Sequence, residues 1–316
     1  MKNLLLVGLR YHSYTDEIAK ELGALGYRVS FHEIQPRSLA FKTMRVVTPG
    51  LYQRRLDRHH ARIIAHESGR RYDVVMFIQV HQFSIANIEE LKRQHAGSKF
   101  VLYNWDAVSN HDYRPYIKYF DQVYTFDPQD AIDYGVNYLP LFCIAPFQRL
   151  AKRRQDERAI YFVGNIVSVQ RYLALRDFKR HCTRNGIKFH CFMACSMLVL
   201  TRLLRRGILP TDVSFGSIAH PEFIAMIENS IAVFDFANHQ QTGYTMRTIE
   251  NLCAGKKLIT NNPRIVRERF YSDDRILLID NLDFSEVKQF MEKELAAPDE
   301  QFSDFHIQNF LKVMVG

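Results

Sequence analysis

The chain has 316 residues, of which 47% are hydrophobic and 24% charged, and its formal net charge is +8. This length fits about two domains, and the apolar fraction is enough for two buried cores. No apolar run reaches the roughly 20 residues that cross a bilayer. Five cysteines without a CxxC pair argue against a disulfide framework. The first strand, residues 3–8, is too short and too weakly charged in front for a signal peptide, so we expect a cytoplasmic protein.

The first half of the chain alternates short apolar runs with helical patterns. Strands are predicted at residues 4–7, 28–32, 74–78, 100–103, 122–126 and 138–142. Helices are predicted between them at residues 15–25, 51–67 and 85–94. Strands separated by helices predict a parallel sheet with helices on both of its faces.

The loop after the first strand carries polar side chains. Gly8 ends this strand, and Arg10 and His12 follow it before a helix that Ser13 or Thr15 can cap. Open α/β sheets bind ligands at the carboxyl ends of their strands, and a histidine there can act as a general base on a hydroxyl group. A capping or packing role for these side chains is the alternative.

Trp105 and Asp106 follow another apolar strand. Sugars present C–H faces to aromatic rings and hydroxyl groups to carboxylates, so this pair suits a sugar acceptor, with Asp106 as a candidate base. In the alternative interpretation, Trp105 is a core residue and Asp106 caps the next helix. Asp127 is a further candidate, although an aspartate before Pro128 ordinarily signals a turn.

The second half begins after a charged stretch, residues 146–158, which has no apolar period and predicts an interdomain linker. Strands are then predicted at residues 159–165, 189–193, 230–236, 257–260 and 276–279. Helices are predicted at residues 169–182, 221–228, 244–253, 284–295 and 304–313. This alternation predicts a second α/β domain.

Basic residues are concentrated in this second half. Residues 152–206 contain thirteen Lys and Arg against three Asp and Glu, an excess of +10. The adjoining stretch 192–204 is apolar and is followed by Arg205 and Arg206, a pattern that suits an interfacial helix on anionic lipid. A core helix beside a solvated basic face is the alternative.

Residues 238–262 carry the most specific pattern in the chain. A buried strand, a loop with Gly243, a helix and a second strand form the layout of a βαβ nucleotide site. A glycine at the helix entrance lets a phosphate approach backbone N–H groups, and Arg247 adds a cation. The Glu250 carboxylate can accept hydrogen bonds from both hydroxyls of a ribose. A surface ion pair between Arg247 and Glu250 is the alternative.

This stretch resembles the donor-binding segment of the GT-B glycosyltransferases, in particular the bacterial enzymes of lipopolysaccharide and capsule assembly. The resemblance implies two Rossmann-like α/β domains facing a central cleft, with a C-terminal helix that packs back on the first domain. We therefore expect an acceptor domain at 1–148, a linker at 149–158, a nucleotide-sugar donor domain at 159–296 and the C-terminal helix at 297–316. The resemblance also implies a metal-independent enzyme that needs no cofactor besides the nucleotide sugar as co-substrate.

The resemblance assigns donor contacts to residues of the second half. The residues concerned are Gly164, Asn165, Arg171, Gln241, Thr242, Gly243, Tyr244, Arg247 and Glu250. Glu250 stands where the family places the glutamate that binds the donor ribose, and Arg171 stands where it could reach a diphosphate. A solvated Arg171 beside an ordinary βα turn is the alternative. Thr242 stands where many retaining members have a further glutamate, so the stereochemical course stays open.

The resemblance places the acceptor in the first half, with Arg10 and Trp105 as binding residues and His12 and Asp106 as catalytic residues. It predicts sugar transfer to a lipid-linked or oligosaccharide acceptor during surface-glycan synthesis, with peripheral membrane contact. A non-catalytic Rossmann-like protein that binds a nucleotide or sugar is the alternative. A basic nucleic-acid-binding protein is a further alternative, although the sequence has no recognised motif or basic tail of that kind.

A metal site is not predicted. His59, His60 and His66 occur in one predicted helix, but His60 and His66 do not have the i, i+4 spacing of a helical zinc pair. The sequence shows no His/Cys cluster with ligand spacing, and His220 before Pro221 suits an ordinary helix start.

Overall fold

The computed structural model describes residues 1–11, 13–150, 158–236, 242–295 and 300–316. His12 and Gln241 therefore lie outside the described residues, as does most of the predicted linker. The chain forms two compact units. The first consists of Met1–Ile144, Gln240–Tyr244 and Phe305–Gly316, and the second of Ala145–His239 and Thr245–Asp304.

The first unit is built on a six-stranded parallel sheet. Its strands are β1 (Lys2–Gly8), β2 (Tyr27–Glu33), β3 (Val74–Ile78), β4 (Lys99–Asn104), β5 (Gln122–Thr125) and β6 (Asn137–Tyr138). They lie in the order β2-β1-β3-β4-β5-β6. Every residue of β3 is buried, because helices cover both faces of the sheet, and this explains the continuous apolar runs in the sequence.

The helices of the first unit connect these strands. They are α1 (Tyr14–Ala24), α2 (Leu39–Val47), α3 (Pro49–Glu67), α4 (Ile85–Gln94) and α5 (Pro128–Tyr134). The sequence predicted α1, α3 and α4 but not α2 or α5. Asp127, interpreted as a turn signal, instead caps α5 by accepting hydrogen bonds from the N–H groups of Gln129 and Asp130.

The second unit repeats this architecture with a six-stranded parallel sheet. Its strands are β7 (Ala159–Ile166), β8 (Lys188–Cys195), β9 (Val213–Ser214), β10 (Ala232–Asp235), β11 (Lys257–Thr260) and β12 (Ile276–Leu278), in the order β12-β11-β10-β7-β8-β9. Its helices are α6 (Ala145–Leu150), α7 (Val169–Arg184), α8 (Met197–Arg205), α9 (His220–Glu228), α10 (Met246–Cys253) and α11 (Val287–Glu292). Phe178 of α7 stacks on Phe234 of β10 at a ring-centroid distance of 4.0 Å and joins the helix layer to the sheet.

The chain ends in α12 (Ile307–Val315), which belongs to the first unit. Its Phe310 ring lies 4.7 Å from Tyr103 of β4 and 4.2 Å from Phe142, measured between centroids. The predicted return of the last helix to the first domain is therefore confirmed.

Three segments differ from the sequence predictions. The proposed linker begins with the helix α6, because Phe147 and Leu150 are buried and give this charged stretch an apolar side. The predicted strand at 138–142 is reduced to the end of β6. The apolar stretch 192–204 is not one helix, because its first residues complete β8 and only those from Met197 onward are helical.

Each sheet reverses its strand order at its first strand. The reversal lies between β1 and β3 in the first unit and between β7 and β10 in the second. Ligands of open α/β sheets bind at the carboxyl ends of the strands beside such a reversal. The two places to search for function are therefore the ends of β1, β3 and β4, and the ends of β7 and β10.

Candidate functional site

Asp235, the last residue of β10, organises the strand ends of the second unit. Its side chain is 1% exposed, and one carboxylate oxygen accepts a 2.8 Å hydrogen bond from Nη1 of Arg247. The other oxygen accepts hydrogen bonds from the hydroxyls of Thr245, at 3.1 Å, and Thr248, at 2.6 Å. Thr245 also caps α10, so Asp235 fixes both the start of this helix and its arginine.

Sequence reasoning did not select Asp235, Thr245 or Thr248. A usable signal was present, because an aspartate closes a buried strand and two threonines with the spacing of a helix cap follow it. The sequence does not show that these side chains are in contact, because nine residues separate Asp235 from Thr245.

Arg247 is held by protein groups on several sides. Besides Asp235, its Nη2 donates to the carbonyl oxygen of Val163 at 2.6 Å, and its guanidinium lies 4.9 Å from the ring centroid of Phe162. The expected fixed cation is therefore present, and the Asp235 carboxylate is its protein partner.

Gly164 is required by this arrangement. A Cβ atom at this position would lie 2.5 Å from Nη2 of Arg247 and 3.1 Å from the ring of Phe162. Glycine thus allows the arginine of α10 to approach the backbone of β7. The neighbouring Asn165 has an exposed side chain.

Arg171 lies in the first turn of α7, which Ser168 caps. Its guanidinium is 5.6 Å from the same Phe162 ring that Arg247 contacts. Its Nε is buried and has no hydrogen-bond partner among the residues that the structure describes. Burial and the nearby charge of Arg247 lower the pKa of Arg171 to about 10, although Asp235 acts in the opposite direction. Arg171 is therefore partly buried rather than fully solvated.

Two guanidiniums and one carboxylate thus converge beside Phe162 at the ends of β7 and β10. The set carries a net charge of +1, and an incompletely paired, desolvated arginine is costly unless an anion completes its hydrogen bonds. The helix α7 starts here as well, and helix N-termini favour negative charge. This arrangement can bind a phosphate group.

Glu250 is buried in α10, with 8% of its surface exposed. The adjacent Asn251 accepts a 2.7 Å hydrogen bond from the Tyr161 hydroxyl and donates one of 2.7 Å to the carbonyl oxygen of Arg247. Burial, followed by the charge of Glu250, raises the pKa of Tyr161 well above its usual value. Glu250 therefore lies in a desolvated setting near Tyr161, where a carboxylate is a strong hydrogen-bond acceptor.

The loop residues Thr242 and Gly243 belong to the first unit, where they contact Asp127. Its carboxylate accepts hydrogen bonds from the N–H of Thr242 at 2.7 Å, the N–H of Gly243 at 3.1 Å and the Thr242 hydroxyl. Burial raises the pKa of Asp127, but the hydrogen bonds from Thr242, Asp130 and Gly243 outweigh this effect and hold the pKa below its usual value.

These contacts correct the physical reason given for Gly243. A Cβ atom there would lie 2.5 Å from the carbonyl oxygen of Phe126, so the glycine allows close packing against the chain before α5. The N–H groups of Thr242 and Gly243 donate to Asp127. Tyr244, the next residue, is buried.

Asp106 follows β4 in the first unit and accepts a hydrogen bond from Nε2 of Gln79. Nε2 of His111 lies 3.9 Å from the same oxygen, and 32% of the Asp106 side chain is exposed. The alternative role of Asp106 as a helix cap is wrong, because the next helical turn spans Arg114–Tyr119.

Gln79, which sequence reasoning missed, directly follows β3 with a strained backbone. Its φ is +64°, a left-handed conformation uncommon outside glycine, and its side chain is 2% exposed. Its Oε1 is buried without a hydrogen-bond partner among the described residues. Strain and an unsatisfied polar atom each cost on the order of 1–3 kcal/mol, and such costs concentrate at functional sites. No sequence signal indicates this conformation.

Two histidines complete this group. The rings of His81 and His111 stack at a centroid distance of 3.7 Å and an angle of 5°. Burial and the neighbouring His111 lower the pKa of His81 to about 4. The His111 ring lies beside Asp106, and its nitrogens can form hydrogen bonds there.

The other predicted acceptor residues have partners of their own. Trp105 is half-buried and meets Tyr11 edge-on at 5.9 Å between ring centroids, so it is not a fully enclosed core residue. Arg10 lies 3.2 Å from Glu33 and 3.5 Å from Asp16, measured from its nitrogens to their carboxylate oxygens. His12 lies outside the described residues.

The structure brings together potential metal ligands that are far apart in the sequence. His32, His66 and Glu67 place ligand atoms within 4.8 Å of one another. Sequence spacing does not indicate this group, because His32 lies on β2 and the other two residues lie on α3. Glu67 also accepts a hydrogen bond from Tyr72 and lies 3.4 Å from Arg70, so protein donors already satisfy this carboxylate.

No protein-family model matches the chain, and no curated protein matches it at the sequence level. Solved structures do match. An α-glucosyltransferase in complex with UDP and mismatched DNA aligns with a TM-score of 0.66 and 11% identity, over 98% of this chain and 95% of the other. HepE of Anabaena in complex with UDP-glucose aligns with a TM-score of 0.63 and 10% identity, over 99% and 98%.

A third match is the lipopolysaccharide outer core galactosyltransferase WaaB, with a TM-score of 0.55 and 13% identity over 99% of both chains. At these identities the likeness establishes the fold. The expected fold, two Rossmann-like α/β domains of the GT-B type, is confirmed.

Proposed function

We propose that this protein is a glycosyltransferase that uses a nucleotide-sugar donor. The observation that carries the proposal is the pair Arg171 and Arg247 beside Phe162, at the strand reversal of the second unit. A diphosphate has the charge and the hydrogen-bond acceptors that this incompletely paired set lacks. UDP or UDP-glucose in the structural neighbours supports the same donor class.

The donor would contact three kinds of group. Arg171, Arg247 and the start of α7 would hold the diphosphate, and Glu250 would accept hydrogen bonds from the ribose hydroxyls. Gly164 would keep the backbone of β7 close to Arg247, and Asn165 would lie at the exposed edge of the site. The loop residues stay proposed donor contacts, namely Gln241, Thr242, Gly243 and Tyr244. Because the N–H groups of Thr242 and Gly243 already donate to Asp127, this loop would contact the donor through its other groups.

In the reaction, the bond between C1 of the sugar and the phosphate oxygen breaks, and a bond from C1 to the acceptor oxygen forms. The nucleoside diphosphate leaves with the bonding electrons, and the guanidiniums would stabilise its developing negative charge. The acceptor hydroxyl loses a proton, for which Asp106 and His12 are the candidate bases. Arg10 and Trp105 are the candidate acceptor-binding residues.

We further propose that the acceptor is a lipid-linked or oligosaccharide precursor of a surface glycan, such as lipopolysaccharide, capsule or exopolysaccharide. Transfer would proceed without a metal ion, because arginines and a helix terminus supply the positive charge. The protein would act in the cytoplasm, at the inner face of the plasma membrane. Among the described helices, none combines the length and apolarity that spanning a bilayer requires.

The proposal is tested by a thermal-shift screen of nucleotide sugars and free nucleotides. A ligand that binds only the folded protein raises its melting temperature. We expect a nucleotide sugar to do so, and Glu250→Ala to reduce the shift while circular dichroism shows an unchanged fold. Undiminished donor affinity in Glu250→Ala would remove the ribose assignment, and no shift with any nucleotide would overturn the proposed function.

A matched assay separates the enzyme from a non-catalytic binder. Incubation with the nucleotide sugar that shifts the melting temperature should release nucleoside diphosphate, by transfer or by slow hydrolysis. Binding without any release, with glycan precursors supplied, would favour a nucleotide- or sugar-binding protein.

A further inference from the structure

A groove on the second unit, away from the strand ends, is lined by basic side chains. Arg176, Lys179, Arg180 and Arg184 of α7 line it, opposite the chain that follows α8, and its volume is about 520 Å³. Arg171 and Arg184 are thirteen residues apart on α7, so the far end of the groove lies roughly 20 Å along the helix from the donor site. The far end of the groove is therefore separate from the phosphate site.

Exposed apolar side chains lie on α8 and on the chain that follows it. Leu209, which lines it, is 80% exposed, and Leu204 near the end of α8 is 47% exposed. Met197 and Leu198, at the start of α8, are 65% and 61% exposed. Exposing such large apolar side chains to water is unfavourable, and covering them with an apolar phase would remove this cost.

The helix α8 has a buried apolar side and an outer side that is both apolar and basic. Val199 and Leu203 are buried in the core of the second unit, so the helix is anchored by its inner side. At 100° per residue, its outer side carries Met197, Leu198, Leu204 and Arg205, and the exposed Arg202 lies at the edge of this side. The outer side thus combines apolar and basic residues without an acidic one.

The charge of this surface is only partly neutralised. Lys179 lies 2.8 Å from Asp212, and Asp177 contacts Arg176 and Arg180 at 3.0 and 3.5 Å. Within the described part of the chain, no carboxylate lies in ion-pair range of Arg184, Arg202, Arg205 or Arg206. A ligand surface with many negative charges would complement this excess.

We propose that the outer side of α8, Leu209 and the basic groove of α7 together form a docking surface for a bilayer that contains anionic phospholipid. Arginines beside lipid phosphates contribute on the order of 1 kcal/mol each, and leucines gain by entering the boundary between headgroups and acyl chains. This combination favours a bilayer over a nucleic acid, which offers phosphates but no apolar phase for exposed leucines. The inference assigns a surface to the membrane contact proposed above, and it does not depend on the proposed reaction.

The test uses the full chain and sedimentation with vesicles. We expect binding to vesicles of equimolar phosphatidylcholine and phosphatidylglycerol, little binding to phosphatidylcholine alone, and weaker binding as salt rises. Arg205→Glu with Arg206→Glu should lower the vesicle affinity at least about tenfold, since a tenfold change corresponds to about 1.4 kcal/mol. Leu204→Ser with Leu209→Ser should lower it about tenfold as well, through lost apolar burial.

The first unit supplies matched controls. Arg54→Glu with Arg55→Glu changes an adjacent, exposed arginine pair on α3 by the same charge, and Leu51→Ser removes an exposed leucine there. Both controls should bind vesicles nearly as the unchanged protein does. Equal losses in both arginine pairs would overturn the proposal, because net charge alone would then explain the binding.

Two further results would also overturn it. One is absence of binding to the phosphatidylglycerol vesicles. The other concerns a random-sequence DNA oligonucleotide. If the protein binds it in a salt-sensitive way, and Arg205→Glu with Arg206→Glu removes DNA binding but not vesicle binding, this surface would be assigned to nucleic acid. Nucleotide thermal shifts measured on the same variants should be unchanged, so failure of membrane docking is distinguishable from failure of the donor site.

Discussion

The strand ends of the two units are built on opposite electrostatic plans. In the second unit, Arg171 and Arg247 share one aromatic ring and one buried carboxylate, so positive charge is in excess. In the first unit, the central group is the Asp106 carboxylate, and its neighbours are the Gln79 amide and the His111 imidazole. The proposed donor site of the second unit is thus rich in positive charge, whereas the proposed acceptor site of the first unit centres on a carboxylate.

The two sites also differ in the unfavourable feature that each one contains. The second unit leaves an arginine desolvated and incompletely hydrogen-bonded, which a bound anion would relieve. The first unit instead holds Gln79 in a left-handed conformation with a buried, unpartnered oxygen, which orients the Asp106 carboxylate. Charge is incompletely balanced in one site, and backbone conformation is strained in the other.

Asp235→Ala should produce the largest change. It leaves the partly buried charge of Arg247 without its carboxylate and removes two hydroxyl hydrogen bonds, so the free energy of unfolding should fall by about 3–5 kcal/mol. Urea denaturation measures this. The control Asp273→Ala breaks an exposed pair with Lys293 and should cost less than about 1 kcal/mol. Similar losses in the two variants would show that Asp235 does not organise the site.

Arg171→Gln should separate binding from stability. A charge-assisted hydrogen bond contributes about 1.5–3 kcal/mol, so affinity for the nucleotide that shifts the melting temperature should fall roughly 10–100-fold. The free energy of unfolding should stay unchanged or rise, because the buried cation is poorly compensated without ligand. Calorimetric titration gives the affinity, with Arg176→Gln as the control that should bind nucleotide normally. Unchanged affinity in Arg171→Gln would exclude a role in phosphate binding.

Gln79→Gly in the first unit should reduce transfer to the acceptor and leave donor binding unchanged. Relief of the left-handed backbone offsets the lost hydrogen bond to Asp106, so stability should change by less than about 1 kcal/mol. Donor binding should persist, whereas transfer to the acceptor should fall about tenfold through a misplaced carboxylate. Asn281→Gly relieves a similar backbone conformation in the second unit and should leave transfer unchanged. Full transfer activity in Gln79→Gly would show that the strain serves no function.

His81→Phe should give the smallest effect, visible only in acid. The folded pKa of His81 is lowered from 6.5 to about 4, so the unfolded chain binds more protons between these values and stability is lost as pH falls through them. Phenylalanine keeps a ring stacked on His111 but cannot titrate. Urea denaturation at pH 7 and at pH 5 should therefore show a smaller acid-dependent loss in His81→Phe than in the unchanged protein. An identical loss would place the titration elsewhere.

Strong periodicity made the fold largely predictable from the sequence. The runs at 74–78 and 257–260 form strands with the predicted bounds, because a parallel strand covered on both faces must be apolar throughout. The helices α2 and α5 escaped prediction because they are short, with nine and seven residues. Their starts depend on caps at Ser38 and Asp127, which sequence alone does not distinguish from turns.

The candidate site was predictable only in part. The sequence indicated Arg171, Arg247 and Asp106, since charged residues just beyond buried strands are conspicuous. It did not reveal Asp235, Gln79 or the stack of His81 on His111, because their significance lies in contacts between different elements. It also misattributed Gly243, whose missing side chain makes room for Phe126.

The sequence by itself determined the alternation of strands and helices, the two-domain α/β architecture and the surplus of basic residues, because these follow from local periodicity and composition. Only the tertiary structure decided which charges meet. Arg247 pairs with Asp235, Asp127 occupies the N–H groups of the 242–243 loop, and Gln79 orients Asp106. Partners that lie 12, 115 and 27 residues apart are brought together by the order of strands in a sheet, which local sequence patterns do not specify.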